Sequence, residues 1–238
     1  MVATFLQLLR YGKTFAYRPG MPRKLLQRTN ILPYHLTGRV NNKEEFHVPL
    51  ARMWALIGDE CLYLTVVYQV QFHALVLMPN HFHILMTVPE GDLGQAMNFF
   101  MSSVTRMSNL LSGRSGRLFG GPYYWSLVNN SRYFGHVYKY VYRNPVRAKL
   151  CSRVEEYPFS TLSGLLGSSP LPFPLYFTKI GMEIAFPTAE THLHLNWLNK
   201  PFPKDAEVLI QKGLRKRLFV SVPDPKSRIP SEILSQLL

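Results

Sequence analysis

Two short strings in this 238-residue chain carry residue types that can handle a phosphate ester. The first is His81-Phe82-His83. On a β-strand alternate side chains share a face, so the two imidazoles project together about 7 Å apart while Phe82 turns into the core behind them. Two imidazoles on one face can hold a divalent cation. A lone His-x-His pair fits two half-buried histidines equally well, and His192-Leu193-His194 repeats the spacing. The second string is His136-Val137-Tyr138-Lys139-Tyr140-Val141-Tyr142-Arg143-Asn144-Pro145. At 100° per residue Tyr140 and Asn144 share one helix face, Tyr138 and Tyr142 a second, and Val137 and Val141 a third. A carboxamide oxygen is a hard ligand that can join two histidines around a cation and leave positions open for phosphate oxygens. An aromatic-rich helix end also fits plain core packing.

The elements that must position these residues follow from periodicity. Residues 32–40 (LPYHLTGRV) read as a strand, 41–43 as a turn and 44–58 as a helix despite Pro49. Three β-rich runs, 61–67, 71–78 and 81–88, read as strands, with Met78-Pro79-Asn80 as the break before the last. Met97, Phe100, Met101, Val104, Met107 and Leu111 recur at spacings of three and four and predict an amphipathic helix over 95–111. The glycine-rich stretch 112–121 reads as a loop and PYYWSLV as a strand. A second helix is expected from Ser131 to Asn144, because the residue before a proline is biased away from helical geometry. Residues 164–174 read as a linker, followed by an apolar run at 193–198 and a helix over 205–219. The order strand, helix, strands, helix, strand, helix predicts an α+β protein, an antiparallel sheet with helices packed on it.

MPNHFHILM followed by YVYRNPVRAKL resembles the single-tyrosine HUH transposases, and in detail their REP-associated tyrosine transposase branch. YHLTGRVNN, GRLFGGPYYWSLV and EYPFSTL extend the likeness, in order, over about residues 22–165. The resemblance implies a ferredoxin-like HUH fold over residues 22–165; the break at Arg18-Pro19-Gly20 reads 1–21 as a loosely attached N-terminal arm, and the 164–174 linker sets off 166–238 as a partly helical C-terminal extension. It also implies metal-dependent cleavage and transfer of single-stranded, hairpin-containing repeat DNA through a covalent 5′-phosphotyrosine. Residue by residue, His81, His83 and Asn144 match the metal ligands and Tyr140 the nucleophile, with Mg²⁺ or Mn²⁺ as the ion. Relatives often carry histidine where this chain has Tyr142, and an aromatic or glutamine-like residue in the GRLFGGPYYW stretch, which leaves specificity open. His192 and His194 lack a preceding Pro-Asn turn and are expected to be structural.

Composition agrees with a polyanionic partner. Twenty-seven Lys and Arg against fourteen Asp and Glu give +13, and a pI near 9.9 points to nucleic acid. An apolar fraction of 47% excludes disorder throughout. Arg106, Arg114, Arg117, Arg143, Arg147 and Lys149 are candidate backbone contacts, Arg23, Lys24 and Arg28 a candidate groove-entering arm, and Tyr123, Tyr124 and Trp125 candidate stacking platforms. Two cysteines, an N-terminus unlike a secretory signal and no uninterrupted apolar span predict a cytoplasmic, nucleoid-associated protein, monomeric or homodimeric, with no membrane partner. A domesticated hairpin binder without cleavage activity, or a replication or relaxation initiator with the same chemistry, would share the motifs.

Overall fold

The computed structural model describes residues 26–176 and 191–219. The runs flanking Pro79-Asn80 fold back on each other as β2 (Gln71–Met78) and β3 (His81–Thr87), an antiparallel pair. β1 (Tyr34–Arg39) lies on the other side of β3, and β4 (Tyr124–Leu127) beyond it, giving a fully antiparallel sheet of order β2-β3-β1-β4. Helix α1 (Leu50–Tyr68) connects β1 to β2 and α2 (Leu93–Ser112) connects β3 to β4. This is the βαββαβ, ferredoxin-like arrangement, in the α+β class that the element order predicts.

The sheet divides the core in two. Leu36, Phe72, Leu77, Phe82, Ile84 and Met86 pack under α1 and α2, while Ala74, Val76, Met78 and Leu85 face the other way, against α3 (Ser131–Arg147). Phe82 is fully buried on the first face, so its neighbours His81 and His83 project from the second. Its ring lies over Gly38, where a Cβ would come within 2.7 Å of the Phe82 ring carbons. Glycine is what lets β1 pass this close to the ring.

The Cys61–Val67 run is not a strand. It forms the second half of α1, which begins directly after Pro49 and ends at Gln69 in the left-handed region. Met53, Leu56, Ile57, Cys61 and Leu64 form a buried helical stripe against α2, and that packing outweighs the β preference of Thr65-Val66-Val67, whose valines are exposed. Helix α3 likewise runs through Pro145 to Arg147 rather than stopping at Asn144. Proline removes the N–H that would reach the Val141 carbonyl, and Asn144 Nδ2 leans back to it at 3.4 Å while donating to the Tyr140 carbonyl at 2.8 Å.

The 164–174 stretch contains the end of a short helix, α4 (Leu162–Leu165), and buried Phe173, whose ring lies 5.0 Å from Phe72. Residues 159–161 and 175–176 cover the free edge of β2 through Leu77 N to Phe159 O at 2.9 Å and Tyr176 N to Phe72 O at 2.7 Å. Helices α5 (Thr191–Asn199) and α6 (Lys204–Gly213) pack on the outer side of α3. The expected 205–219 helix therefore ends at Gly213. Its last residues instead run beside β4, where Phe219 N donates to Leu127 O at 2.7 Å. Enclosed between the sheet and this C-terminal layer, α3 is buried on nearly every side.

Candidate functional site

The site is built where β3, β1 and α3 meet. His81 and His83 share a face of β3 with ring centroids 5.0 Å apart. The Tyr140 ring stands edge-on to His83 at 5.7 Å within the same chain. Helix α3 carries four tyrosines; Tyr133 packs edge-on to Phe219 at 5.3 Å, and Tyr138 and Tyr142 belong to the core. Tyr138 stacks on His194 at 5.8 Å, and Tyr142 hydrogen-bonds Thr161 Oγ1 at 2.8 Å. The helical-face argument thus separates Tyr140 from its neighbours, and the structure places it alone among them against the histidines.

Asn144 lies one turn beyond Tyr140 and is 2% exposed. Its Nδ2 is tied to the helix backbone, which leaves Oδ1 buried without a hydrogen-bond partner. A buried carboxamide oxygen in this state normally has a ligand or water to satisfy it. Asn80, in the turn before β3, donates through Nδ2 to Lys43 O at 2.9 Å and accepts through Oδ1 from His81 Nδ1 at 2.7 Å. That bond puts the His81 proton on Nδ1 and leaves Nε2 with its lone pair. Burial, reinforced by Arg39 and Arg147, lowers His81 to about 4, and burial with the neighbouring His35 takes His83 well below its ordinary value. Both rings are neutral near pH 7, the form that ligates metal. Among the described residues no three His, Cys, Asp or Glu side chains form a group that could hold a metal ion; the candidate donors are two neutral imidazoles and, one turn beyond Tyr140, the Asn144 carboxamide. Neutral nitrogens plus an orphaned oxygen fit a divalent ion with open positions.

Three side chains gain roles here that the sequence did not assign them. Buried His35 on β1 brings Nε2 to 3.0 Å from His83 Nδ1, with the rings stacked at 5.2 Å. Arg147, a candidate backbone contact from the sequence, sits with its guanidinium carbon 5.4 Å over the Tyr140 ring in a cation–π contact and 4.0 Å from Glu207. Burial raises the Tyr140 hydroxyl and Arg147 pulls it back down. Asn80 is the third, a spacer in the motif whose side chain orients a ring.

The remaining candidate cations divide by position. Arg143 Nη1 donates to Leu198 O at 3.0 Å and Asn199 O at 2.6 Å, capping α5 instead of facing open solvent. Arg28 pairs with Asp92 at 2.7 Å at the start of α2, and Arg106 is exposed on α2, so both lie across the sheet from Tyr140. Arg114 contacts His47 Nδ1 at 2.9 Å, and Arg117 and Lys149 are exposed. Arg23, Lys24 and the 1–21 arm lie outside the described residues. Trp125 packs edge-on to Tyr34 at 6.2 Å, whereas Tyr124 is 75% exposed. Tyr124 pairs across β1 with Thr37, on the face that carries the histidines. With Arg39, Lys43, Gly120 and Gly121 it lines a cleft of about 500 Å³, and Arg39 is the ladder partner of His81.

No protein-family model matches the chain. A REP-associated tyrosine transposase of Escherichia coli strain K12 is 29% identical over 93 residues, 38% of this chain and 53% of that protein. A solved structure of a REP-associated tyrosine transposase bound to a REP hairpin superposes with a TM-score of 0.51 at 18% identity, over 67% of this chain and 94% of the other. The chain resembles the REP-associated tyrosine transposases. The match spans about half the length of the curated transposase, and at 18% identity the structural likeness to the REP-associated transposase is one of fold.

Proposed function

We propose that the protein cleaves and rejoins single-stranded DNA beside a hairpin, using Tyr140 as nucleophile. The observation that carries this reading is the Tyr140 ring held against His83 by a buried helix whose next turn presents the orphaned Asn144 Oδ1. The solved relative bound to a REP hairpin suggests repeat hairpins as the substrate class.

His81 Nε2, His83 Nε2 and Asn144 Oδ1 would hold Mg²⁺ or Mn²⁺, which supplies Lewis-acid polarisation of the scissile phosphate. Imidazole ligands alone do not select either ion over Zn²⁺. Tyr140 needs activation because burial disfavours its anion. Arg147, above the ring, stabilises the developing tyrosinate. The Tyr140 hydroxyl gives up its proton and its oxygen bonds to phosphorus as the bond to the 3′ oxygen breaks; the 3′ oxygen takes up a proton, so none is gained or lost overall. A 5′-phosphotyrosine and a free 3′-hydroxyl result, so the ester energy is kept and reverse attack can rejoin strands. The cleft between Tyr124, Arg39 and Lys43 offers stacking and charge to the nucleotide beside the scissile bond.

The test is to incubate the full chain and Mn²⁺ with hairpin oligonucleotides from the repeats flanking its gene and resolve the products on a denaturing gel. A protein–DNA adduct that EDTA abolishes is expected. Cleavage without an adduct would overturn the tyrosine mechanism, and an adduct that persists in EDTA would overturn the metal.

A further inference from the structure

We infer that His35 is the positioning residue of the cation site: it accepts a hydrogen bond from His83 Nδ1–H and so turns the Nε2 lone pair of His83 toward the ion. The inference rests on the metal-dependent reading proposed above. His35 Nε2 and His83 Nδ1 are 3.0 Å apart. Two ring nitrogens at that distance share one proton, so one is N–H and the other a lone pair. His81 settles which. Its Nδ1 must donate, because Asn80 Oδ1 only accepts and the Asn80 amide is already held by Lys43 O. His81 therefore offers Nε2. For both rings to offer the same edge to one ion, His83 must also carry its proton on Nδ1, and His35 Nε2 is then the acceptor.

The surroundings of His35 support this assignment. With Nε2 unprotonated, its own proton lies on Nδ1. Directly across the β1–β4 ladder stands Ser126, whose buried hydroxyl makes no hydrogen bond and so leaves His35 Nε2 to His83 alone. His35 is not itself a ligand, since its Nε2 is committed to His83. Its ring, 2% exposed, also stands edge-on to Tyr140 at 6.3 Å. One side chain on β1 thus fixes the ligand on β3 and packs against the proposed nucleophile on α3.

Two measurements test this on the full chain. In metal-free protein with ¹⁵N-labelled histidine, long-range ¹H–¹⁵N NMR should report His83 as the Nδ1–H tautomer and His35 with Nε2 unprotonated. The reverse tautomer at His83 overturns the proposal whatever the metal does. Calorimetric titration with Mn²⁺ should then find His35→Phe, which keeps an aromatic ring but no acceptor, weaker by about 10–100-fold. His35→Gln, whose carboxamide oxygen can accept the same bond, should recover to within a few-fold of wild type. Hairpin binding in EDTA should be unchanged in both variants, which separates ligand positioning from folding. Undiminished Mn²⁺ affinity in His35→Phe, or a His35→Gln as weak as His35→Phe, overturns it. A wild type that takes no Mn²⁺ at all brings down the metal reading itself, and the tautomer spectrum still decides the hydrogen bond.

Discussion

At the scale of single residues, the account turns on three tyrosines that differ only in what they face. Tyr140→Phe should abolish the covalent adduct and leave hairpin affinity intact, since a single oxygen is lost. Tyr138→Phe and Tyr142→Phe should keep the adduct, with Tyr142→Phe less stable by about 1 kcal/mol for its lost bond to Thr161. Denaturing gels paired with thermal melts check all three. Arg147 tests the electrostatic side. It lowers the Tyr140 hydroxyl against the upward push of burial, so Arg147→Gln should move the ascending limb of the pH–rate profile to higher pH. A pH–rate profile with an unmoved limb would assign Arg147 to phosphate contact alone.

At the scale of elements, helix α3 is held by the C-terminal layer as well as by the sheet. Lys139 Nζ lies 5.1 Å from the ring centres of both Trp197 and Phe202, and burial lowers its pKa to about 8. Arg143→Met should cost about 2 kcal/mol, because two charge-assisted bonds to the end of α5 disappear. Amide exchange over 191–199 should speed up while the salt dependence of hairpin affinity stays the same. A shallower log–log salt slope in that variant would return Arg143 to the phosphate contacts.

The same scale shows what could be read from sequence. The shared face of His81 and His83 was legible because strand alternation is a strict period of two, and that of Tyr140 and Asn144 because helical faces repeat every three to four residues, while the resemblance alone set the first pair apart from His192 and His194. The β-branched end of α1 misled, since local preference there yields to a stripe of buried residues that begins at Met53. Pro145 misled because a neighbouring side chain, Asn144, makes up for its missing donor. His35 was invisible for another reason: its partner lies 48 positions away, and a single histidine in a strand has no spacing to betray it.

At the scale of the whole molecule, several histidines are buried neutral. Burial lowers His35 to about 3 and His73 and His136 to about 4. A folded-state value below the unfolded one means that stability is fully present above about pH 6.5 and is lost as pH falls toward 4, when the unfolded chain binds the extra protons. Each such histidine steepens the loss by up to about 1.4 kcal/mol per pH unit. Urea unfolding from pH 7 to 4 should show this slope, and His73→Gln should flatten it by removing one proton. Among the described residues no helix is long and apolar enough to cross a membrane. The most direct test of the central claim is mass-spectrometric mapping of the covalent adduct after nuclease and protease digestion. The account predicts a nucleoside 5′-phosphate on Tyr140 and on no other tyrosine. The same mass on Tyr124, Tyr138 or Tyr142 would contradict it.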